Sequence, residues 1–445
     1  MSQRKRSPKD IFCPIPFIGM YFRGDDQLIQ SCCWEQVERN KEVKYGRDNH
    51  IKNYNNDMMK YWSGPIMKGM RRQFMQGQWP ASCNGCKKIE DGGKKSPRQD
   101  WSWAWRLLDD SVEGKPNTSY IDLDYGNSTH KPLYFDYRPD NICNLGCAMC
   151  SPNASSILEK MVKEHPELDT QDVLQNTIDY SHQADDRTQI ELTGLSENTV
   201  RIKLNGGEPT ISKKIKDLYA DIISKGWAKN IQLQFTTNFT NTNKTFYEVL
   251  PHFNYVGLTA SLDGAGATYD YTRAPAHWEK ISQNIRDVIS AEIMPNYNFS
   301  INLVWSVSTV FTIRDWLPQL LELMSYITNY EHTGKGVWNR RAGAECNLHV
   351  NQCYAPSWQS LSVVPDEWKQ EILQDVLAMR KQYDPQPGTK LWVTFDQLEV
   401  GLKFKFNKKH LTLWQDHVRI YDNARGTDIT TLHPKYNELL NYDRS

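Results

Sequence analysis

The chain has 445 residues, with 53 basic and 53 acidic side chains and therefore no formal net charge at pH 7. That balance argues against a tRNA or other nucleic acid held by a basic field over the whole surface. A mean hydropathy of −0.67 and the lack of any apolar run of spanning length exclude an integral helical membrane protein. The basic start MSQRKRSPKD leads into no apolar signal core, so a cytoplasmic location is expected.

Ten cysteines stand at positions 13, 32, 33, 83, 86, 143, 147, 150, 346 and 353. In a reducing compartment a disulfide framework is disfavoured, so close cysteine spacings point to metal or redox chemistry. The first hundred residues carry Cys13 in CPIPF, the pair Cys32-Cys33, and Cys83-x2-Cys86 in WPASCNGC. Between them, residues 55–75 place Met58, Trp62, Ile66, Met70 and Phe74 at every fourth position. This predicts a helix with a core-facing stripe, kinked or split at Gly64-Pro65 and ended by Gly77 and Pro80. One thiolate each from Cys13, the Cys32/Cys33 pair, Cys83 and Cys86 makes a set of four. Such a set closes round either a structural zinc or an iron–sulfur cluster. Residues 91–99 (DGGKKSPRQ) read as a basic linker with Lys94, Lys95 and Arg98 in solvent, and Trp101, Trp103 and Trp105 as core rather than a base-stacking platform.

Residues 133–138 (LYFDYR) alternate and are rich in aromatics, which predicts a strand. It leads into CNLGCAMC, where Cys143, Cys147 and Cys150 form a Cys-x3-Cys-x2-Cys run. Three thiolates on one loop can converge on one metal centre. A structural zinc needs a fourth protein ligand, for example His130, whereas a four-iron cluster on three thiolates leaves one iron open to chemistry. Helical spacing follows over 155–164, and the polar segment 176–198 reads as an inserted loop.

Strand and helix patterns then alternate. A strand at 200–204 runs into Asn205-Gly206-Gly207-Glu208-Pro209 and a helix from about Ser212. Strands at 231–235 and 255–261 end in Thr237-Asn238 and in Asp263-Gly264, the second followed by a helix over 277–292. A strand at 299–307 precedes a helix at 316–327, and 348–354 is a weaker strand. The alternation predicts an α/β fold of parallel units, a partial (β/α) TIM-like barrel whose strand-end loops gather at one mouth. Cys346 and Cys353 read as core thiols and 365–383 as an amphipathic helix, while the aromatic-rich stretch 391–445 yields no assignable chemistry.

The cysteine loop after the first of these strands and the Gly-Gly-Glu-Pro loop after the second resemble the radical SAM superfamily. The resemblance implies that Cys143, Cys147 and Cys150 hold a 4Fe–4S cluster whose open iron is chelated by S-adenosylmethionine (SAM). It implies that Gly206, Gly207, Glu208 and Pro209 receive the methionine amino group, the glycines by close backbone approach and Glu208 as an acceptor. Ser261 and Asp263 resemble a segment contacting the ribose and methionine moieties, Arg273 a partner of the SAM carboxylate, and Thr237 and Asn238 a strand-end pair lining the same pocket. Met149 stands where an aromatic residue often precedes the third cysteine, and its thioether can pack on adenine. The implied chemistry is reductive cleavage of SAM to methionine and a 5′-deoxyadenosyl radical that abstracts hydrogen from a substrate. A flavodoxin- or ferredoxin-type one-electron donor is the implied partner.

The N-terminal thiol set resembles the twitch-type auxiliary-cluster module of a phage-like subgroup, here placed before the barrel. It implies a second 4Fe–4S cluster on Cys13, Cys32, Cys83 and Cys86. The glycine which that pattern places five residues before the cysteine pair is replaced by Gln27, so Cys33 stays open as an alternative to Cys32. The expected organisation is a cysteine-rich module over 1–100, a barrel over 101–360 and an extension over 361–445, with the resemblance covering roughly residues 10–370. Three readings stand: an enzyme acting on a peptide or protein side chain, one acting on a small molecule such as a sugar, aminocyclitol or nucleotide, and a non-catalytic zinc-binding scaffold. The intact triad and Glu208 speak against the third.

Overall fold

The computed structural model describes the chain except residues 1–9, 25–26, 36–48, 109–120, 123–126, 129–130, 169–193, 243–244, 295, 332–345, 385, 387–388 and 444–445. His130 and most of the polar segment 176–198 lie outside the described residues. No helix among the described residues is long and apolar enough to cross a membrane.

The strands are β1 (Gly19–Arg23), β2 (Leu28–Gln30), β3 (Ile121–Asp122), β4 (Asn127–Ser128), β5 (Tyr134–Arg138), β6 (Arg201–Leu204), β7 (Gln232–Thr237), β8 (Tyr255–Ser261), β9 (Tyr297–Trp305) and β10 (Asn347–Gln352). Eight form one mixed, mostly parallel sheet in the order β10-β9-β8-β7-β6-β5-β1-β2, and β3 and β4 form a separate antiparallel pair. Strands β1, β5 and β6 run parallel, as do β8, β9 and β10, while β2 is antiparallel to β1. Side chains alternate across the pleat. In β6, Ile202 and Leu204 are buried while Arg201 and Lys203 are half-buried, and β7 repeats the pattern with Leu233, Phe235 and Thr237 inside.

The chain divides into two compact units: residues 1–140, 179–205 and 217–233 make the first, and 141–178, 206–216 and 234–445 the second. Strands β1 and β2 were not legible in the sequence. Four of the five β1 residues are buried, so β1 shows none of the alternation that marks a half-buried strand. Gly19 is required where it pairs with Tyr134, because a Cβ there would stand 2.5 Å from that ring.

In the first unit the predicted 55–75 helix is split into Met58–Trp62 and Pro65–Met75. Pro65 opens the second piece, and Gly64 before it is extended. The break resets the helical phase, so Met67, Met70 and Phe74 face inward while Ile66 is half-buried. Trp103 and Trp105 lie in a helix, Ser102–Leu108, with Trp101 just before it, and all three pack against this unit's core as expected. Trp103 meets Tyr134 edge-on at 4.7 Å between centroids, and Arg201 caps its other side at 4.3 Å.

In the second unit, helix Trp278–Ser290 buries Trp278, Ile281, Ile285 and Val288, and helix Ile313–Asn329 buries Ile313, Trp316, Leu317, Leu320 and Leu323. Both follow the 3.6-residue stripe of a helix laid on a sheet. The aromatic-rich C-terminal stretch forms three helices, Lys390–Leu402, Lys408–Arg425 and Pro434–Asn441. Gly401 lets the first lie against β9 and β10: a Cβ there would reach 2.5 Å from Trp305 and 2.3 Å from Gln352. Cys346 and Cys353 are buried beside β10, as core thiols should be.

Candidate active site

The cysteine loop follows β5 and is tied at both ends. The Ser156 hydroxyl donates to the Cys143 carbonyl at 3.1 Å, and the Ser155 hydroxyl donates to the Leu145 carbonyl at 2.7 Å while capping helix Ser156–Glu164. Farther along, the Gly146 and Ala148 N–H groups donate to the Ala274 and Thr272 carbonyls at 2.9 and 2.8 Å. Cys147 is buried, and Cys143, Met149 and Cys150 are half-buried. Burial pushes the Cys147 thiol up to about 12 and Cys143 higher still, with Cys147 and Cys150 each adding to the shift at Cys143.

Gly206 has φ +151°, a conformation open to glycine, and Gly207 lies on the backbone of Asn141 and Ile142. The Glu208 N–H donates to the Ile142 carbonyl at 2.7 Å. The Glu208 carboxylate is buried and accepts four hydrogen bonds. Thr210 gives its N–H and hydroxyl at 3.1 and 2.8 Å, Thr237 its hydroxyl at 2.7 Å, and Asn238 its N–H at 2.7 Å. Burial raises its pKa and these donors oppose the rise. Both oxygens thus clamp the loop, with buried Pro209, to the end of β7. A second tie escaped the sequence reading. Asn144, inside the cysteine run, accepts from the Asn238 amide at 3.1 Å and donates to the Thr240 hydroxyl at 2.9 Å.

At the end of β8, Ser261 is half-buried and Asp263 fully buried. One Asp263 oxygen accepts from the Val304 N–H at 2.7 Å, and the other from Arg273 Nε and Nη2 at 2.8 and 2.7 Å. Nη1 of Arg273 points to Cys147 Sγ at 3.7 Å. The structure therefore links Asp263, Arg273 and Cys147 in one chain of contacts. Cys143, Cys147, Cys150, the Gly206–Pro209 stretch, Thr237, Asn238, Ser261, Asp263 and Arg273 all belong to the second compact unit.

The first unit holds a separate cavity lined by Cys13, Cys32, Cys83 and Cys86, with Trp34, Phe74, Trp79 and Trp101 as its apolar walls. Cys33 is turned instead to Asp136 and Lys203. Glu35 also lines the cavity, its carboxylate accepting the Ser31 N–H and hydroxyl at 2.6 and 2.8 Å. Arg98 corrects the expectation of a solvated linker: it is 2% exposed and faces the cavity. It donates to the Asp10 and Phe12 carbonyls at 2.9 and 2.7 Å and pairs with Glu90 at 2.5 Å. Its backbone N–H donates to the Cys86 thiol, and its buried Nε has no hydrogen-bond partner among the described residues. The residue is inside because Ser96 and Gln99 form a capping box for helix Pro97–Asp100, which rotates Arg98 inward while Lys94 and Lys95 stay in solvent.

The donor sets suit the groups the sequence implies. One loop offers three thiols and no fourth, and one apolar cavity offers four thiols with a buried cation beside them. Among the described residues no three Cys, His, Asp or Glu side chains are drawn together to the spacing of a single bound ion.

No family model and no curated protein matches the chain. Among solved structures it is similar to Streptococcus suis SuiB bound to its precursor peptide SuiA, at 14% identity and a TM-score of 0.33, over 73% of this chain and 67% of that one. It is also similar to SuiB bound to S-adenosylmethionine, at 15% and 0.31 over 68% and 58%. A third likeness is native anSMEcpe with bound AdoMet and the Cp18Cys peptide, at 16% and 0.30 over 55% and 62%. The chain thus spans between 58% and 67% of the length of these structures.

Proposed function

We propose that the chain is a radical SAM enzyme with two iron–sulfur sites. The observation that carries this reading is the physical union of the three-thiol loop with the Gly-Gly-Glu-Pro loop, through Gly207 on Ile142 and through Asn144 on Asn238. Two motifs 55 or more residues apart in sequence are held as one surface, which a chance pairing of turns does not require.

Cys143, Cys147 and Cys150 hold the first cluster; when bound with SAM, it supplies the electron that opens the sulfonium. Burial raises the pKa of Cys143 and Cys147, so loading the cluster onto them would release protons. Gly206, Gly207, Pro209, Thr237, Asn238, Ser261 and Met149 line the SAM site. Glu208 acts by fixing the loop to β7, its oxygens being taken by protein donors. Arg273, held by Asp263, presents positive charge to Cys147. Cys13, Cys32, Cys83 and Cys86 hold the auxiliary cluster, with the aromatic walls keeping water from it. A flavodoxin- or ferredoxin-type protein delivers the electron, and the location is cytoplasmic. The substrate class placed first is a peptide or protein side chain, on the resemblance of the four-thiol module. SuiB and anSMEcpe were solved with peptides bound, but their TM-scores are too low to add weight.

The test is iron, zinc and acid-labile sulfide per chain in protein purified without oxygen. About eight irons with matching sulfide is the expected result, followed by release of 5′-deoxyadenosine from SAM under reduction. About four irons with one zinc keeps the enzyme and makes the N-terminal site structural, a reading the complete four-thiol set equally admits. Zinc without sulfide, surviving anaerobic reconstitution, overturns the proposal in favour of a scaffold.

A further inference from the structure

Strands β5 and β6 pair with Tyr134 beside Arg201 and Asp136 beside Lys203, and β1 adds Tyr21 beside Asp136 and Arg23 beside Arg138. Partners in register share one face of a sheet. That face of the three strands carries Arg23, Arg138, Arg201 and Lys203, and among its strand residues the one acid is Asp136. All of it belongs to the first compact unit.

Asp136 is enclosed and Lys203 is not. Asp136 is 1% exposed. One of its oxygens accepts from Lys203 Nζ at 2.9 Å and from the Tyr134 hydroxyl at 3.4 Å, and the other from the Asn205 amide at 3.0 Å. The Lys203 side chain is 35% exposed, and the bond to Asp136 uses one of the three donors of an ammonium. The pair thus turns its carboxylate inward and its cation to water. Cys33 is exposed, its thiol engaged with Asp136 and within the field of Lys203. Surrounding protein nevertheless pushes the Cys33 thiol up to about 11 and works against the Lys203 charge, which Asp136 more than restores. Groups that water reaches and protein surrounds line a recess.

We propose that this recess binds a carboxylate group of the substrate, with Lys203 as its cation and Asp136 as the residue that positions Lys203. A carboxylate brings one charge to one ammonium, whereas the second charge of a phosphate would face Asp136. This rests on the radical SAM reading above and narrows its substrate class to a peptide bearing an acidic side chain.

Cys33 serves as the reporter. Full-length, iron-loaded wild type, K203Q, K203R and D136N are treated without oxygen with an anionic thiosulfonate (sulfonatoethyl) and a cationic one (trimethylammonioethyl). Fragment masses separate Cys33 from Cys32. The expected result is that K203Q lowers the anion-to-cation ratio of labelling rates by about tenfold, D136N raises it, and K203R keeps it near wild type. A shift in the thiol's own pKa, or a merely loosened fold, changes both rates alike and cancels in the ratio. Acetyl-Ala-Glu-Ala-amide should slow anionic labelling of wild type but not of K203Q, and acetyl-Ala-Gln-Ala-amide should slow neither. A ratio unmoved by K203Q and D136N, or a Cys33 that takes neither reagent, overturns the proposal. So does a glutamyl peptide that protects no better than the glutaminyl one, or less well than inorganic phosphate. Should K203Q melt early, D136N decides: a raised ratio supports the proposal and a wild-type ratio overturns it. Iron and sulfide in the same preparations test the radical SAM reading separately, so either can fail without the other.

Discussion

Gly207 and Ile142 are in backbone contact: a Cβ on Gly207 would stand 2.1 Å from the Ile142 carbonyl oxygen, which already accepts the Glu208 N–H at 2.7 Å. No side-chain rotation relieves a clash of backbone on backbone. Gly207→Ala must part the Gly-Gly-Glu-Pro loop from the cysteine loop. The expected outcome is a loss of about 1–3 kcal/mol in stability, read by thermal melting, together with loss of the iron held by the loop. An unchanged melt with full iron would show that the contact does not matter.

Arg98 joins the Cys13 and Cys86 segments, holding the Phe12 carbonyl with its side chain and the Cys86 thiol with its backbone. Arg98→Gln removes the fork and leaves Glu90 with the Ser96 hydroxyl but without its cation. Breaking such a buried pair is expected to lower stability by about 3 kcal/mol. Metal analysis should show the N-terminal site depleted while the Cys143 loop keeps its iron; equal loss from both sites would contradict a local clamp.

Burial raises the pKa of Glu35, with the Ser31 and Ser82 donors opposing the rise. A carboxyl group with a raised folded-state pKa favours the fold fully below the free glutamate value of 4.5, and that contribution is lost as pH rises through the raised value. In chain freed of metal, the melting temperature of wild type should therefore fall relative to Glu35→Gln between pH 5 and pH 8. A constant difference across that range would rule out the titration.

Replacing Cys83 and Cys86 together with alanine tests whether the auxiliary site takes part in turnover. Product formation should stop while 5′-deoxyadenosine release continues in part, because the Cys143 loop belongs to a different compact unit. Undiminished product would remove the auxiliary site from the reaction.

The cysteine runs and the Gly-Gly-Glu-Pro loop were legible because their chemistry fixes both residue type and spacing within a few positions. So were the central strands, where Ile202 and Leu204 alternate with Arg201 and Lys203. Strand β1 was hidden by burial on both sides, and Ile66 was given the wrong facing because a split helix loses its phase. Arg98 looks like an ordinary surface cation in the sequence; only the capping box around it turns it inward. Glu208 was read from the resemblance as an acceptor for the methionine amino group; the four protein donors on its oxygens are a feature that spacing alone does not reveal.

A ribosome makes this chain in one direction, and the two thiol sites lie very differently along that path. All four N-terminal thiols and Arg98 emerge within the first hundred residues, before the Cys143 loop exists. The Cys143 loop is translated next, but the Thr272 and Ala274 carbonyls that pin it appear over a hundred residues later. On the function proposed above, the four thiols of the first site are translated as one set before any of the contacts that pin the second, so the two sites differ in how much later chain each needs.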